Sequence, residues 1–265
     1  MRALLQRGRL FIGVVHAPAL PGAPGFSGDF EAGLAHARAD AAALVEGGCD
    51  ALVVENFGDT PFFADSVPPE TIAALTRVVT TVNAVRGALP VGVNVLRNDV
   101  RAGLGICAAT GASFVRANVH TGVMATDQGL IEGRAAETLR ARAALCPEVA
   151  ILADVHVKHA VALAGESIAD AAENAARRGR ADALIVSGRA TGSRPASADL
   201  IAVRERVPGT PLLIGSGLDA DNAAELLALC DGAVVGTWLK ERGDVTRRVD
   251  PRRVAELRTL FDRAE

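Results

Sequence analysis

The sequence is short of the features that mark several large functional classes. It has no tyrosine, one tryptophan and eight phenylalanines, so aromatics make up 3% of 265 residues. Proteins that hold single-stranded nucleic acid use aromatic stacking platforms set in basic grooves. Here 28 Lys and Arg face 31 Asp and Glu, a net charge of −3, with no electrostatic route to nucleic acid or an anionic membrane. No apolar run is long enough to span a bilayer, and residues 1–15 lack the apolar core of a secretory leader. The four cysteines, Cys49, Cys107, Cys146 and Cys230, form no Cys-x-x-Cys pair. They fit small buried hydrophobes in a reducing, cytoplasmic compartment. What is present is aliphatic. Hydrophobic residues reach 49%, which excludes global disorder, and the length suffices for a sizeable core.

Eight short apolar runs read as buried parallel strands: Phe11–Val15, Ala51–Val54, Val91–Val95, Ser113–Val115, Val149–Ala153, Ala183–Val186, Leu212–Ile214 and Ala233–Val235. Helical patterns follow them at Phe30–Glu46, Pro69–Arg86, Val100–Thr110, Arg134–Ala144, Ile168–Arg178, Ala198–Arg206, Ala220–Leu229 and Pro251–Ala264. Ser167, Asp219 and Asp250-Pro251 supply helix-start signals, and Gly47-Gly48, Gly87, Gly111 and Gly179 supply stops. Strands alternating with helices argue for βαβ units, and the count of eight matches a closed (β/α)8 TIM barrel of phosphate-binding type. No linker divides residues 1–265, which are expected to form one domain. Helix-to-strand links are short, whereas four strand-to-helix links (16–29, 55–68, 116–133, 154–165) are long. Long loops in a compact domain are usually functional, and these emerge where barrel active sites lie.

The strand ends carry the candidate chemistry. Gly215-Ser216-Gly217 and Gly236-Thr237 follow the last two strands, where such barrels hold phosphate on backbone N–H groups. Glu55, at an apolar rim, is expected to have a raised pKa suited to acid/base work, with an ion pair to Arg116 or Lys158 as the structural alternative. Asp154 and His156 are further catalytic candidates, Asp154 orienting a substrate hydroxyl or holding His156. Period-two spacing puts Asp154, His156 and Lys158 on one side, and likewise Arg116, Asn118 and His120. His16, Asn94, Arg116, Asn118, Lys158 and Ser187 are the expected substrate contacts, with Arg suited to bidentate recognition of an anion. A Schiff base at Lys158 and a metal set of Asp154, His156, His120 and Glu55 are the weaker options, and the preferred reading needs neither a metal nor a cofactor. The loop Ser187–Gly192 is a candidate flap, and His36 and His159 read as surface groups.

With these residues in view, the chain resembles the BtpA/SgcQ family nearly end to end. The likeness rests on the segments 13–22 (GVVHAPALPG), 53–59 (VVENFGD), 92–99 (GVNVLRND), 114–119 (FVRANV), 152–159 (LADVHVKH) and 215–217 (GSG). The resemblance implies a TIM-type barrel related to phosphate-binding barrels. It implies two functional settings: photosystem I biogenesis or stability with a membrane association, and a carbohydrate-type operon context with catalysis. It assigns no residue roles. Ala- and Arg-rich helices fit a high-GC bacterial lineage.

The expected function is therefore a cytoplasmic enzyme acting by acid/base chemistry on a small phosphorylated ligand, such as a sugar phosphate or nucleotide-like compound. Its reaction would be of lyase, isomerase, aldolase-like or glycosidic type. A non-catalytic assembly factor for a membrane complex, presenting an exposed apolar patch, and a metal-dependent hydrolase are the alternatives. No nucleic-acid partner and no stable membrane insertion are expected. Apolar helix faces make a homo-oligomer the expected assembly.

Overall fold

The computed structural model describes residues 1–188 and 190–263. Eight parallel strands close into a barrel: β1 (Leu10–His16), β2 (Ala51–Glu55), β3 (Val91–Asn94), β4 (Phe114–Ala117), β7 (Ala150–Val155), β9 (Ala183–Val186), β10 (Leu212–Ile214) and β11 (Gly232–Val235), which pairs back onto β1. Each falls on a run read as a strand, shifted by one or two residues. Two layers of apolar side chains follow from the period of two. Ile12, Val14, Val53, Phe114, Leu152, Ile185, Leu213 and Val234 fill the barrel interior, while alternate residues such as Val15, Val54, Val93 and Ile151 pack outward on the helices.

The outer ring is α2 (Phe30–Glu46), α3 (Pro69–Asn83), α4 (Val100–Thr110), α5 (Ala135–Leu145), α6 (Ile168–Glu173, continued by a wider turn to Arg178), α7 (Ser197–Arg206), α8 (Ala223–Leu227) and α9 (Pro251–Arg263). Ala264, in the expected last helix, lies outside the described residues. The Ser167 hydroxyl caps α6 by accepting from the Asp170 N–H at 3.1 Å, and Asp250 accepts from the Arg252 N–H at 3.0 Å at the start of α9. Gly111 ends α4 in the left-handed conformation at φ 74. An N-terminal turn, α1 (Arg2–Leu5), was not foreseen; its Leu5 plugs the bottom of the barrel interior.

Two expectations are corrected. The helix expected over Ala220–Leu229 is only the five residues of α8, and Asp219 does not cap it. Asp219 instead accepts from the N–H groups of Asp221 and Asn222, and Asn222 donates to the Gly217 carbonyl at 2.8 Å. The chain is held as a side-chain-closed turn where a helix start was read. The long loops after β4 and β7 also pair with each other. They form an antiparallel sheet of β5 (Val123–Thr126), β6 (Gly129–Glu132) and β8 (Ala160–Ala162) with strand order β6-β5-β8. Met124 and Ile131 bury its inner face with Val119 and Val157.

Beneath the mouth, α2 is tied to the segment leading into α9. Lys240 Nζ lies 2.5 Å from Asp40 Oδ2, both fully enclosed, and Asp40 Oδ1 accepts from the Val249 N–H. Burial pushes the Asp40 carboxyl up, but His36 and Lys240 outweigh it and bring it to about 2. Removing one partner of a buried pair strands the other charge and typically costs about 3–5 kcal/mol. Asp40→Ala should therefore lower the urea midpoint strongly, and Asp40→Ala/Lys240→Met should recover most of the loss. A double variant no more stable than the single one would contradict this account of the pair.

Candidate active site

Arg116 organises the barrel mouth. It leaves β4 pointing inward, 4% exposed. Its Nε and Nη2 each donate at 3.1 Å to the two oxygens of Asp154, and its Nη1 donates at 3.1 Å to Glu55 Oε1. Asn94 Nδ2 reaches the same Glu55 oxygen at 3.1 Å, and Asn118 Nδ2 reaches Asp154 Oδ2 at 2.6 Å. Five strand-end residues from β2, β3, β4 and β7 thus form one buried charged cluster.

Its electrostatics overturn one expectation. Burial pushes the Glu55 carboxyl up, as foreseen, but the Arg116 guanidinium, Lys158 and the Asn94 bond together hold it below the ordinary carboxylate range. Glu55 is ionised at neutral pH and is paired with Arg116. His16, tilted against the Phe57 ring at 4.6 Å, is brought down to about 3, chiefly by burial. It is a neutral imidazole there and adds no positive charge to the cluster. Lys158 is lowered by burial and by repulsion from Arg116, against the pull of Glu55 and Asp154.

Two cavities meet at this cluster, sharing Glu55, Arg116, Lys158 and Thr191. The proximal one, about 150 Å³, is lined by His16, Gly215, Ser216, Gly217, Gly236 and Thr237, with Trp238. The distal one, about 240 Å³, is lined by Asn94, Asn118, Arg97 and Gln128, with Phe57, Phe62 and Leu96. His159 and Thr191 close over the junction, their side chains 3.1 Å apart. The expected Ser187–Gly192 flap is thus joined to the loop after β7; Arg189 within it lies outside the described residues.

The glycines have a first duty other than the one read from sequence. A Cβ at Gly236 would lie 2.7 Å from His16 Cε1, and one at Gly215 would lie 2.4 Å from Ser187 Oγ and 3.3 Å from Arg116 Nη2. A Cβ at Gly217, which sits at φ +73, would lie 2.2 Å from the Ser193–Arg194 backbone. The Ser216 hydroxyl donates to the Ser193 carbonyl and accepts from the Gly188 N–H, anchoring the same loop. These small residues admit side chains and a loop around the proximal cavity.

Three candidates do not reach either cavity. Asp154 is enclosed behind Arg116 and Asn118, accepts from both, and makes no hydrogen bond to His156 among the described residues. His156 adopts φ 51, which breaks the strand alternation assumed for it, and it lines neither cavity. Ser187 lies under Gly215. His120 turns away to the Gly179 carbonyl at 2.8 Å. Among the described residues no three His, Cys, Asp or Glu side chains group to hold a metal ion, so the expected metal set is dispersed. Cys49, Cys107 and Cys230 are buried free thiols, and burial pushes each up, leaving them unreactive. Arg97, Phe57, Phe62, Gln128, His159 and Trp238 were missed as site residues, whereas Thr191 lies in the expected flap. Only the Phe residues carried a signal, being adjacent to Glu55 in a chain poor in aromatics.

Arg116→Met would leave two buried carboxylates unpaired, and desolvation would then raise the Glu55 pKa. In the wild type, the stability from Glu55 is present above its unfolded pKa and lost as pH falls through the lower folded value. In the variant the sign reverses: the penalty is largest at pH 7 and shrinks as acid protonates the carboxyl. The stability difference, measured by urea unfolding from pH 7 to 4, should narrow on acidification. A difference constant with pH would show that the ion pairs are not its cause.

The chain was compared with known proteins. The model described as the BtpA family matches residues 7–263. The protein titled Photosystem I biogenesis protein BtpA of Synechocystis sp. is 46% identical over 244 residues, 92% of this chain and 85% of that protein. A Putative sgc region protein SgcQ of Escherichia coli is 34% identical over 260 residues, 97% and 95% of the two chains. An uncharacterised Pyrococcus furiosus protein is 44% identical over 238 residues, covering 90% and 89%. Most such relatives are archaeal, so the bacterial lineage read from composition gains nothing from them. Among solved structures, thiamine phosphate pyrophosphorylase of P. furiosus superposes with a TM-score of 0.60 at 16% identity, covering 98% of both chains. N-(5'-phosphoribosyl)anthranilate isomerase of P. furiosus gives 0.59 at 14% identity, covering 96% and 98%. These likenesses establish the (β/α)8 barrel. The family match spans nearly the whole sequence and the relatives exceed 30% identity along nine-tenths of it: the chain belongs to the BtpA family.

Proposed function

We propose that the protein is an enzyme that binds a small phosphorylated molecule across the two cavities and moves a proton at their junction. The carrying observation is the junction itself, where Glu55, Arg116 and Lys158 are shared by a proximal cavity of small residues and a distal one of amides and rings. Arg116 is saturated by Glu55 and Asp154, whereas Lys158 Nζ makes no hydrogen bond or ion pair among the described residues. Arg97, Arg116 and Lys158 stand against Glu55, Asp127, Asp154 and Asp219, so the attraction for an anion rests on the ammonium of Lys158 and not on the net charge of the mouth. The phosphate belongs in the proximal cavity, at Gly215–Gly217 and Gly236–Thr237 after the last two barrel strands. Phosphate is commonly held there in this fold, and the distant neighbours titled thiamine phosphate pyrophosphorylase and phosphoribosylanthranilate isomerase agree with such a ligand.

Glu55, ionised, accepts the proton; Lys158, an ammonium more acidic than free lysine, donates one. An arriving phosphate raises both pKa values, so Glu55 becomes a stronger base once substrate is bound. This is chemistry of the isomerase or lyase type. His156 and Asp154 drop out of the reacting set, and neutral His16 lines the phosphate cavity.

Phosphorylated sugars at about 100 times their dissociation constant should stabilise the protein by about 2.7 kcal/mol, and their dephosphorylated forms should not. Gly236→Ala, which would press a methyl on His16, should abolish that shift. Glu55→Gln should retain it but lose turnover by about two orders of magnitude or more. A thermal-shift series in which phosphorylation makes no difference rejects the phosphate assignment.

One observation favours a second reading, a barrel that docks on a partner. Leu130, Ala125 and Val161 lie in register across the small sheet, and Leu130 (60%) and Val161 (70%) are exposed. No helix among the described residues is long and apolar enough to cross a membrane. Leu130→Lys/Val161→Lys should leave ligand affinity unchanged and abolish any association with a partner or a second copy, read by sedimentation velocity.

A further inference from the structure

The distal cavity holds an unusual set of unsatisfied atoms. Asn94 Oδ1, Asn118 Oδ1 and Gln128 Oε1 are buried, and none has a hydrogen-bond partner among the described residues. Asn94 and Asn118 are 1% and 2% exposed, and all three residues line the same cavity. An amide can normally be turned so that oxygen and nitrogen exchange places. Here it cannot, because each NH2 donates to a carboxylate: Asn94 to Glu55 at 3.1 Å, Asn118 to Asp154 at 2.6 Å, Gln128 to Asp127 at 2.5 Å. Turning any of them would set oxygen against oxygen. Three unpaired acceptors thus belong to residues that line one cavity, and buried orphaned acceptors are rare because each forfeits its hydration.

The ligand that satisfies them must bring donors. Ammonium groups would supply donors, but Arg97, Arg116 and Lys158 line the same cavity against the carboxylates of Glu55 and Asp127, and the Arg97 guanidinium is buried with, among the described residues, its Nη2 on the Lys158 carbonyl. That guanidinium repels cations and offers further N–H groups that need an acceptor. A hydroxyl is both donor and acceptor, so it can meet the amide oxygens and Arg97 together. Phe57 and Phe62 complete the wall with apolar surface of the kind that covers the C–H face of a carbohydrate.

We propose that the distal cavity is a polyol subsite and that the substrate is a sugar phosphate whose hydroxyls donate to Asn94, Asn118 and Gln128. This rests on the phosphate reading of the proximal cavity and sharpens it. It makes these three amides the specificity determinants.

The test uses four probes on the full chain by isothermal titration: ribose 5-phosphate, pentyl phosphate, ribitol and inorganic phosphate. Ribose 5-phosphate should bind at least about 100-fold more tightly than pentyl phosphate, since a site built for hydroxyls strongly rejects an analogue lacking them. Gln128→Leu, on a surface loop, and Asn118→Leu should each cut that preference about tenfold and leave inorganic phosphate binding unchanged. Should Asn118→Leu fail to fold, Gln128→Leu carries the test. Equal binding of ribose 5-phosphate and pentyl phosphate would overturn the polyol subsite while leaving the phosphate site standing. Ribitol binding weakened by Gln128→Leu, with no phosphate dependence, would uphold the subsite and overturn the phosphate assignment. Binding of none of the four would overturn both.

Discussion

One guanidinium holds the mouth of this barrel together. Burying the carboxylates of Glu55 and Asp154 would be prohibitive without a cation that reaches both, and the planar fork of Arg116 does so with three N–H groups. A lysine at the same place could not hold two carboxylates in fixed planes. The rest of the site follows from that arrangement. Because Arg116 occupies one oxygen of Glu55 and both of Asp154, Asn94 and Asn118 complete the carboxylates' shells with their amide nitrogens and are forced to present oxygen to the cavity. Among the described residues the ammonium of Lys158 is left without a hydrogen-bond partner at the junction.

The glycines at the ends of β10 and β11 belong to the same economy of space. Read as sequence, Gly215-Ser216-Gly217 and Gly236 suggest backbone drawn close to an anion. Their immediate neighbours are side chains: Arg116 and Ser187 beside Gly215, His16 beside Gly236, and a crossing loop above Gly217. The two roles are compatible, since removing Cβ atoms both lets the charged cluster sit high in the barrel and leaves a small-walled cavity above it. The contact distances show the first role, room for side chains and a loop, while the second, backbone drawn to an anion, belongs to the proposal.

The architecture was legible because it depends on local periodicity. Each strand run, such as Ala51–Val54 or Leu212–Ile214, is apolar on both faces, and the short αβ links with long βα links told which face carries the site. What was hidden depends on distance in sequence. Glu55 and Arg116 are 61 residues apart, and Asp40 and Lys240 are 200 apart, so neither pairing is marked by spacing. For Glu55 the burial was readable and Arg116 was named as one of two ion-pair partners, but the sequence could not choose between that pair and a desolvated carboxyl with a raised pKa. His156 failed differently. Alternation was extrapolated past the strand end, where a residue at φ 51 turns the chain and delivers Lys158 to the cavity in its place. Gln128 and Arg97 gave no signal at all, since an orphaned acceptor or half-used guanidinium exists only once the fold has closed around it.

The distribution of unsatisfied polarity also bears on whether the mouth or the exposed sheet face carries the activity. A barrel kept only as a scaffold gains nothing from a buried ion cluster. Replacing such clusters by well-packed apolar residues is often neutral or stabilising. Nor does it gain from three buried acceptors without partners, each a net cost to folding. Polar groups that lower stability persist where they contact something other than the protein itself, the usual trade between stability and activity. The exposed Leu130 and Val161, by contrast, are scattered surface hydrophobics of a kind that soluble proteins tolerate. The buried cluster and the unpaired amide oxygens at the mouth therefore support the proposal of ligand chemistry at Glu55, Lys158 and the three amides over docking through the sheet.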